Sequence, residues 1–189
     1  MGSMVYFEDQ FAWDFMEKQS TPSYVVTGHQ QIDSQHHELE QLIQQLATVC
    51  EVENRSGSNC SDCFPESRAA CIGRLDLLLG DLIGFIVTHF SYEENLMRQL
   101  PATPLCREHI ERHKWAHAEV SGQLTTLASN VNHDDPRRCA LQLQSVVSAW
   151  MGAHMCNFDV RLADKLESVT ETELAYDIKL AELLEKENR

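Results

Sequence analysis

Between its prolines the chain repeats apolar residues at intervals of three and four. Proline stands only at 22, 65, 101, 104 and 136, each a suitable helix border because proline lacks the donor a helix interior needs. The spacing predicts a first helix from Asp33 to Val52, with Ile32, Leu39, Leu42, Ile43 and Leu46 turned inward. Asp33 or Ser34 would cap its start. A second helix is expected over Ser67–Leu100, a third over Thr103–Ser129 and a fourth over Asp135–Leu166. Strand signals are few, and the links ENRSGSNCSDCFPES and SNVNHDDP are polar. Four long helices with short or polar links predict an all-α fold, an antiparallel up-down-up-down four-helix bundle over residues 32–166.

Two ends flank that bundle. Residues 1–31 form an N-terminal arm, of which 1–3 read as a cloning remnant. Phe7, Phe11, Trp13, Phe15 and Tyr24 give the arm enough aromatic area to pack across the helices. Residues 167–189 read as a helical linker to an output domain missing from the chain. Leu162, Leu166, Val169, Tyr176, Leu180 and Leu183 follow steps of four and three, broken at Glu173. A coiled-coil seam joining two copies and a terminal helix lying on its own bundle both satisfy this pattern.

Charge narrows the partners. With 29 acidic against 15 basic residues the net charge is -14, which repels phosphate backbones and anionic lipid, so neither nucleic acid nor membrane is expected. No apolar run reaches the ~18 residues that span a bilayer, and no signal peptide opens the chain. The expected location is cytoplasmic. The cysteines at 50, 60, 63, 71, 106, 139 and 156 then read as reduced thiols. Cys60-Ser61-Asp62-Cys63 is a lone CxxC in a polar loop, weak both as a zinc site and as a redox pair.

Within the second helix, the stretch HFSYEENLM follows the apolar LLLGDLIGFIVT. It sets His89 and Glu93 one turn apart on a helix otherwise suited to burial. A buried unpaired charge costs several kcal/mol, so this pair needs partners. The other helices offer them: His36 in IDSQHHEL, His109, His113 and His117 in EHIERHKWAHAEV, and His154 with Asp159 in WMGAHMCNFDVRL. Spacings of four share a helix face, and four such faces converge on one pocket. Imidazole and carboxylate together ligate iron, manganese or zinc. Five imidazoles and two carboxylates exceed the needs of one zinc ion and suit two metal ions bridged by the carboxylates.

The motifs Ile32-Asp33-x-Gln35-His36-x-x-Leu39, His89-Phe90-x-x-Glu93-Glu94-x-x-Met97, a His-x-x-x-His pair, and Trp150-x-x-x-His154-x-x-x-x-Asp159 occur in this order. Over residues 24–166 the chain thereby resembles the bacterial hemerythrin domains. The resemblance implies a non-haem di-iron centre, with an oxo or hydroxo bridge. His36 and His89 would hold one iron and leave it an open position for O2. The third-helix pair and His154 would fill the other iron, and Glu93 and Asp159 would bridge both. Counting from Pro104 favours His109 with His113 as that pair. The string Ile110-x-x-His113-Lys114-x-x-His117-x-x-Val120 favours His113 with His117.

By family position Leu39, Phe90, Trp150 and Met155 would approach the open iron as an apolar wall. Glu94 reads as a surface charge and His37, about 100° round the helix from His36, as a surface or supporting group. His29 and His133 fall outside the helices. The resemblance further implies a sensor of O2, nitric oxide or iron redox state that is not itself an enzyme, reporting to a C-terminal output such as a diguanylate cyclase. A stand-alone O2 carrier or store is the alternative. A di-iron oxidase of the ferritin-like kind is disfavoured, since those centres use four carboxylates and paired Glu-x-x-His motifs.

Overall fold

The computed structural model describes residues 25–50 and 60–172. Its elements are α1 (Gln30–Ala47), a 3-10 turn (Cys60–Asp62), α2 (Pro65–Met97), α3 (Pro104–Ser129), α4 (Pro136–His154) and a π turn (Met155–Asp159). The π turn runs on without a break into α5 (160–172). No strand occurs among the described residues.

The prolines set three of the helix starts. Pro65, Pro104 and Pro136 each open a helix, where the missing N–H would have lacked an intrahelical partner in any case. Thr103 caps α3 by accepting from the Cys106 N–H at 3.2 Å, and Asp135 caps α4 by accepting from the Arg138 N–H at 3.2 Å. The start of α1 differs from expectation. It begins after His29 rather than at Asp33. Asp33 instead sits in the first turn and reaches back: Oδ1 accepts from the Thr27 N–H and hydroxyl at 2.8 Å, and Oδ2 from the Gly28 N–H at 3.1 Å. Gly28 takes φ +85° there, a conformation that side chains rarely tolerate.

α1 packs on α2 and α4, α2 also on α3 and α4, and α3 on α4. The interior holds two apolar clusters. The larger includes Leu39, Leu46, Leu75, Leu82, Phe90, Val120, Leu143, Val147 and Met155. The smaller is built on Ile32, Leu96, Met97, Leu100, Cys106 and Leu162. On each rod the two clusters flank one polar stretch: His36 between Ile32 and Leu39, Glu93 between Phe90 and Leu96, His113 between Cys106 and Val120, Asp159 between Met155 and Leu162. A belt of buried polar groups therefore crosses the interior.

The first part of the C-terminal seam has a partner within the chain. Leu162 is fully buried, and Leu166 and Val169 pack against the smaller cluster. Up to that point the seam lies on its own bundle, as the second of the two expectations had it. Tyr176, Leu180 and Leu183 lie outside the described residues, as do Phe7, Phe11, Trp13, Phe15 and Tyr24 of the arm. All seven cysteines are free thiols. Burial first, then the neighbouring Cys71 and Cys60, push the Cys50 thiol up to about 12, which suits inert thiols. No helix of the described residues is long and apolar enough to cross a membrane.

Candidate metal centre

His36, His89, His113, His117 and His154 are each at most 3% exposed, and Glu93 and Asp159 are fully buried. α1 supplies one of these side chains, α2 two, α3 two, and the α4–π segment two. They form two groups of donors. His36, His89, Glu93 and Asp159 make one, and His113, His117, His154 and Glu93 make the other. Glu93 belongs to both. Its Oε2 lies 3.1 Å from His117 Nε2, 3.4 Å from His113 Nε2, 3.5 Å from His89 Nε2 and 3.8 Å from His154 Nε2. Asp159 spans the groups from the far side: Oδ2 is 3.0 Å from His36 Nε2, while Oδ1 is 3.1 Å from His154 Nε2 and 3.3 Å from His113 Nε2.

A local departure from α geometry brings His154 and Asp159 together. Five residues along an α-helix turn the chain about 500°, which leaves about 140° between the two side chains. Over Met155–Asp159 the backbone is instead a π turn, closed by the Val160 N–H donating to the Met155 carbonyl. With i→i+5 hydrogen bonding, residues five apart sit one turn apart on the same face. The extra residue of that turn is what lets two ligand candidates five apart share a pocket.

The donor atoms fit a cation better than they fit one another. A neutral imidazole has one protonated and one bare nitrogen. His89 Nδ1 donates to Gln35 Oε1 at 3.0 Å, which leaves its Nε2 bare towards the cluster, the arrangement by which an outer partner orients a metal-binding imidazole. His113 and His154 bring their Nε2 atoms to 2.8 Å, and His117 and His154 to 3.2 Å. Three facing nitrogens cannot all be satisfied by their own protons. Metal–nitrogen bonds of roughly 2.1 Å at right angles put neighbouring donors roughly 3 Å apart, which matches these separations. Glu93 Oε1 has no hydrogen-bond partner among the described residues.

Electrostatics point the same way. Burial and the Asp159 charge push the Glu93 carboxyl up, but hydrogen bonds from His113, His117 and His154 outweigh them and hold it below the usual carboxylate range. Asp159 is likewise held well down, burial being overcome by His113, His154 and His36. Burial first, helped by His36 and His154 and opposed by Glu93 and Asp159, takes His89 down to about 4. His154 goes the other way: despite burial, Asp159 and Glu93 raise it to about 9. Two carboxylates buried among imidazoles and held ionised call for a positive partner, which cations supply.

Of the two third-helix alternatives, the structure brings His117 rather than His109 to the other donors. His113 and His117 both enter the second group, whereas His109 is buried outside it. The His109 ring stands edge-on to His113 at 5.4 Å and borders Phe158. Burial first, then His113, Lys165 and Arg161, hold His109 down at about 4. A contrast follows: His117→Ala is expected to lose at least about tenfold in metal affinity, while His109→Ala stays within about threefold. Ferrous-ion titration of both variants, read beside their helical circular dichroism, checks this.

The proposed apolar wall is placed differently from expectation in one part. Phe90 stacks flat on His117 at 3.7 Å and also borders His89 at 5.8 Å. Trp150 lies 4.8 Å from His154 and edge-on to Phe90, so its ring covers the three-histidine group. Leu39 and Met155 are buried in the same apolar cluster as Phe90. A groove of about 420 Å³ between α3 and α4, lined by Val120, Trp150, Ala153 and His154 among others, leads from the surface to that side.

Glu94 is more than a surface charge. It is partly buried, pairs with Lys114 at 3.0 Å and sets Oε1 3.7 Å from His117 Nδ1. It therefore lies beside a ligand candidate without hydrogen-bonding to it. Sequence reasoning also missed Gln35 as the partner of His89, and Phe85 and Phe158, which stack on His89 and His113 at 5.5 and 5.0 Å. For Phe85 a signal existed, since it precedes His89 by one turn. His37 is exposed beside Glu40 and Gln41. His29 is half-buried against Tyr92. His133 is exposed and pairs with Asp76 at 3.2 Å.

Residues 27–166 match the family model described as the Hemerythrin HHE cation binding domain. No curated protein and no solved structure matches the chain.

Proposed function

Given that this chain belongs to the hemerythrin family, we propose that its seven buried ligand candidates hold two iron ions and that the protein binds O2 to report oxygen or redox state. His36 and His89 would take one ion, His113, His117 and His154 the other, and Glu93 and Asp159 both. Bound iron would supply the affinity for O2 and the colour that reports it. The unequal donor sets support this assignment, because two histidines leave more of an ion's coordination sphere open than three do.

The protein's own groups set the conditions. Gln35 fixes the tautomer of His89, and the Glu94 carboxylate lies close to His117. Phe85, Phe90 and Phe158 stack on the imidazoles and keep water from the donors. Such walls admit a small neutral gas more readily than an anion. The predominance of neutral imidazole favours reversible binding over oxidation of a substrate, so no turnover of an organic compound is expected.

The single observation that carries a sensing role over simple carriage is the continuous helix leaving the centre. His154 immediately precedes the π turn and Asp159 ends it, and the same rod continues as α5 to residue 172. π turns are short insertions in an α-helix that occur often at functional sites. A change in what His154 and Asp159 bind would act on this turn first and on α5 next. Residues after 172 would carry the change to a partner copy or an output domain.

Two measurements test the reading. Anaerobically reduced, iron-loaded protein should show a reversible absorption change on adding O2; an unchanged spectrum rules out gas binding. Hydrogen exchange over 160–172 should differ between the two forms. Identical exchange would leave a carrier with no transmission through α5.

A further inference from the structure

On the far side of Phe158 from the α3–α4 groove lies a smaller cavity of about 180 Å³, between α3 and the π–α5 segment. Its walls carry Arg112, Arg161 and Lys165, with Glu108 as the one acid and His109 and Phe158 completing it. Arg112 pairs with Glu108 at 3.8 Å. Arg161 and Lys165 have no ion pair among the described residues. In a chain with a net charge of -14 and only 15 basic residues, gathering three of them at one cavity runs against the average surface. Two uncompensated cations held near each other repel, and that cost remains unless something negative joins them.

A second observation points inward. His109 is only 8% exposed, and its Nε2 is buried without a hydrogen-bond partner among the described residues. Buried polar atoms left unsatisfied are few in folded proteins and ask for an explanation. The metal donors do not supply one, since His109 stands outside both groups. His109 also lines the cavity, and a small turn of its ring would offer this nitrogen to a ligand seated between the cations. The volume suits a small ion, roughly six waters at about 30 Å³ each, and falls below the ~300 Å³ typical of pockets for larger organic ligands.

We infer that this cavity is a binding site for a small tetrahedral oxoanion, of which inorganic phosphate is the simplest. Arg161 and Lys165 from α5 and Arg112 from α3 would donate to its oxygens, and His109 would close the inner end. Guanidinium groups match such oxygens in pairs. The bound anion would tie α3 to α5 across Phe158, whose ring stacks on His113. The site thus adjoins the metal centre and the departing helix without using any metal ligand. It does not depend on the oxygen-binding reading.

The test uses the full, iron-loaded chain and phosphate titrated calorimetrically at low ionic strength. Saturable binding at one site per chain is expected below about 10 mM. Arg161→Gln and Lys165→Gln should each weaken it about tenfold, the usual worth of one charge-assisted hydrogen bond. Arg98→Gln, an equal charge change at the end of α2 and outside the cavity lining, should alter it less than about twofold, because it removes no donor to the anion. Phosphate bound directly to iron would be insensitive to the first two substitutions, and that result overturns the assignment. So does an absence of saturable binding, or equal weakening by Arg98→Gln. Helical circular dichroism of each variant reports folding, and Arg161→Lys, which keeps the charge, should retain binding better than Arg161→Gln.

Discussion

Glu93→Gln is expected to take the metal content of the purified protein from the proposed two ions per chain to below about half an ion, with little loss of helix. Glu93 is the one side chain common to both donor groups, so its loss strikes both ions. The substitution keeps shape and volume, and the interior stays packed. It removes a buried negative charge and sets a donor amide against the nitrogens of four histidines that now face Glu93 Oε2. Loss of an outer partner alone costs roughly 10–100-fold in metal affinity, and loss of a shared ligand must cost more. Glu94→Gln is the matched control. It removes an acid one position away that lies near His117 but outside both donor groups, and it should weaken binding less than about tenfold. Metal analysis of the three proteins after identical loading decides the matter. Two ions retained by Glu93→Gln would show that the donor groups do not share this carboxylate.

Stripping the metal should lower the thermal midpoint by at least about 15 °C. Each ion held about a thousandfold below its working concentration contributes about 4 kcal/mol, and a domain of this size moves about 2–4 °C per kcal/mol. Removal also leaves Glu93 and Asp159 buried with fewer partners than they need. The stripped protein should further show a pH dependence of a particular sign. His154 is raised from 6.5 to about 9 in the folded chain, against burial, by Asp159 and Glu93. A raised folded value means that the folded state binds the proton more tightly than the unfolded chain. The resulting stability is fully present below about pH 6.5 and is lost as the pH rises through about 9. The loaded protein should not share this loss, because a ligating imidazole carries no proton on the donor nitrogen. Thermal melts of both forms between pH 6 and 9.5 compare the slopes.

Most of the architecture could be read from periodicity. Each rod combines an apolar stripe with one polar interruption, and prolines mark three of the four starts, so type and order of elements followed directly. The start of α1 was misjudged because Asp33 is a good capping residue by type. Its carboxylate instead accepts from Thr27 and Gly28 before the helix, and the α1 start at His29 has no side-chain cap. The donor groups were legible because histidine and acid spaced by four on an apolar face have few structural uses. His154 and Asp159 were harder: a spacing of five shares a face only through a π turn, and nothing local in MCNF signals one. Gln35, Glu94, Phe85 and Phe158 act across helices or at ring-stacking distance. Periodicity says which way a side chain points but not what it meets. Trp150 shows this limit, since it points inward as expected yet covers the three-histidine group.

The claim on which the account rests is that the four rods bring together two adjacent metal sites sharing Glu93. Anaerobic ferrous-ion titration of the metal-free chain measures it most directly. The account predicts binding that saturates at about two ions per chain. Saturation at one ion or fewer, with the helices intact, would contradict it.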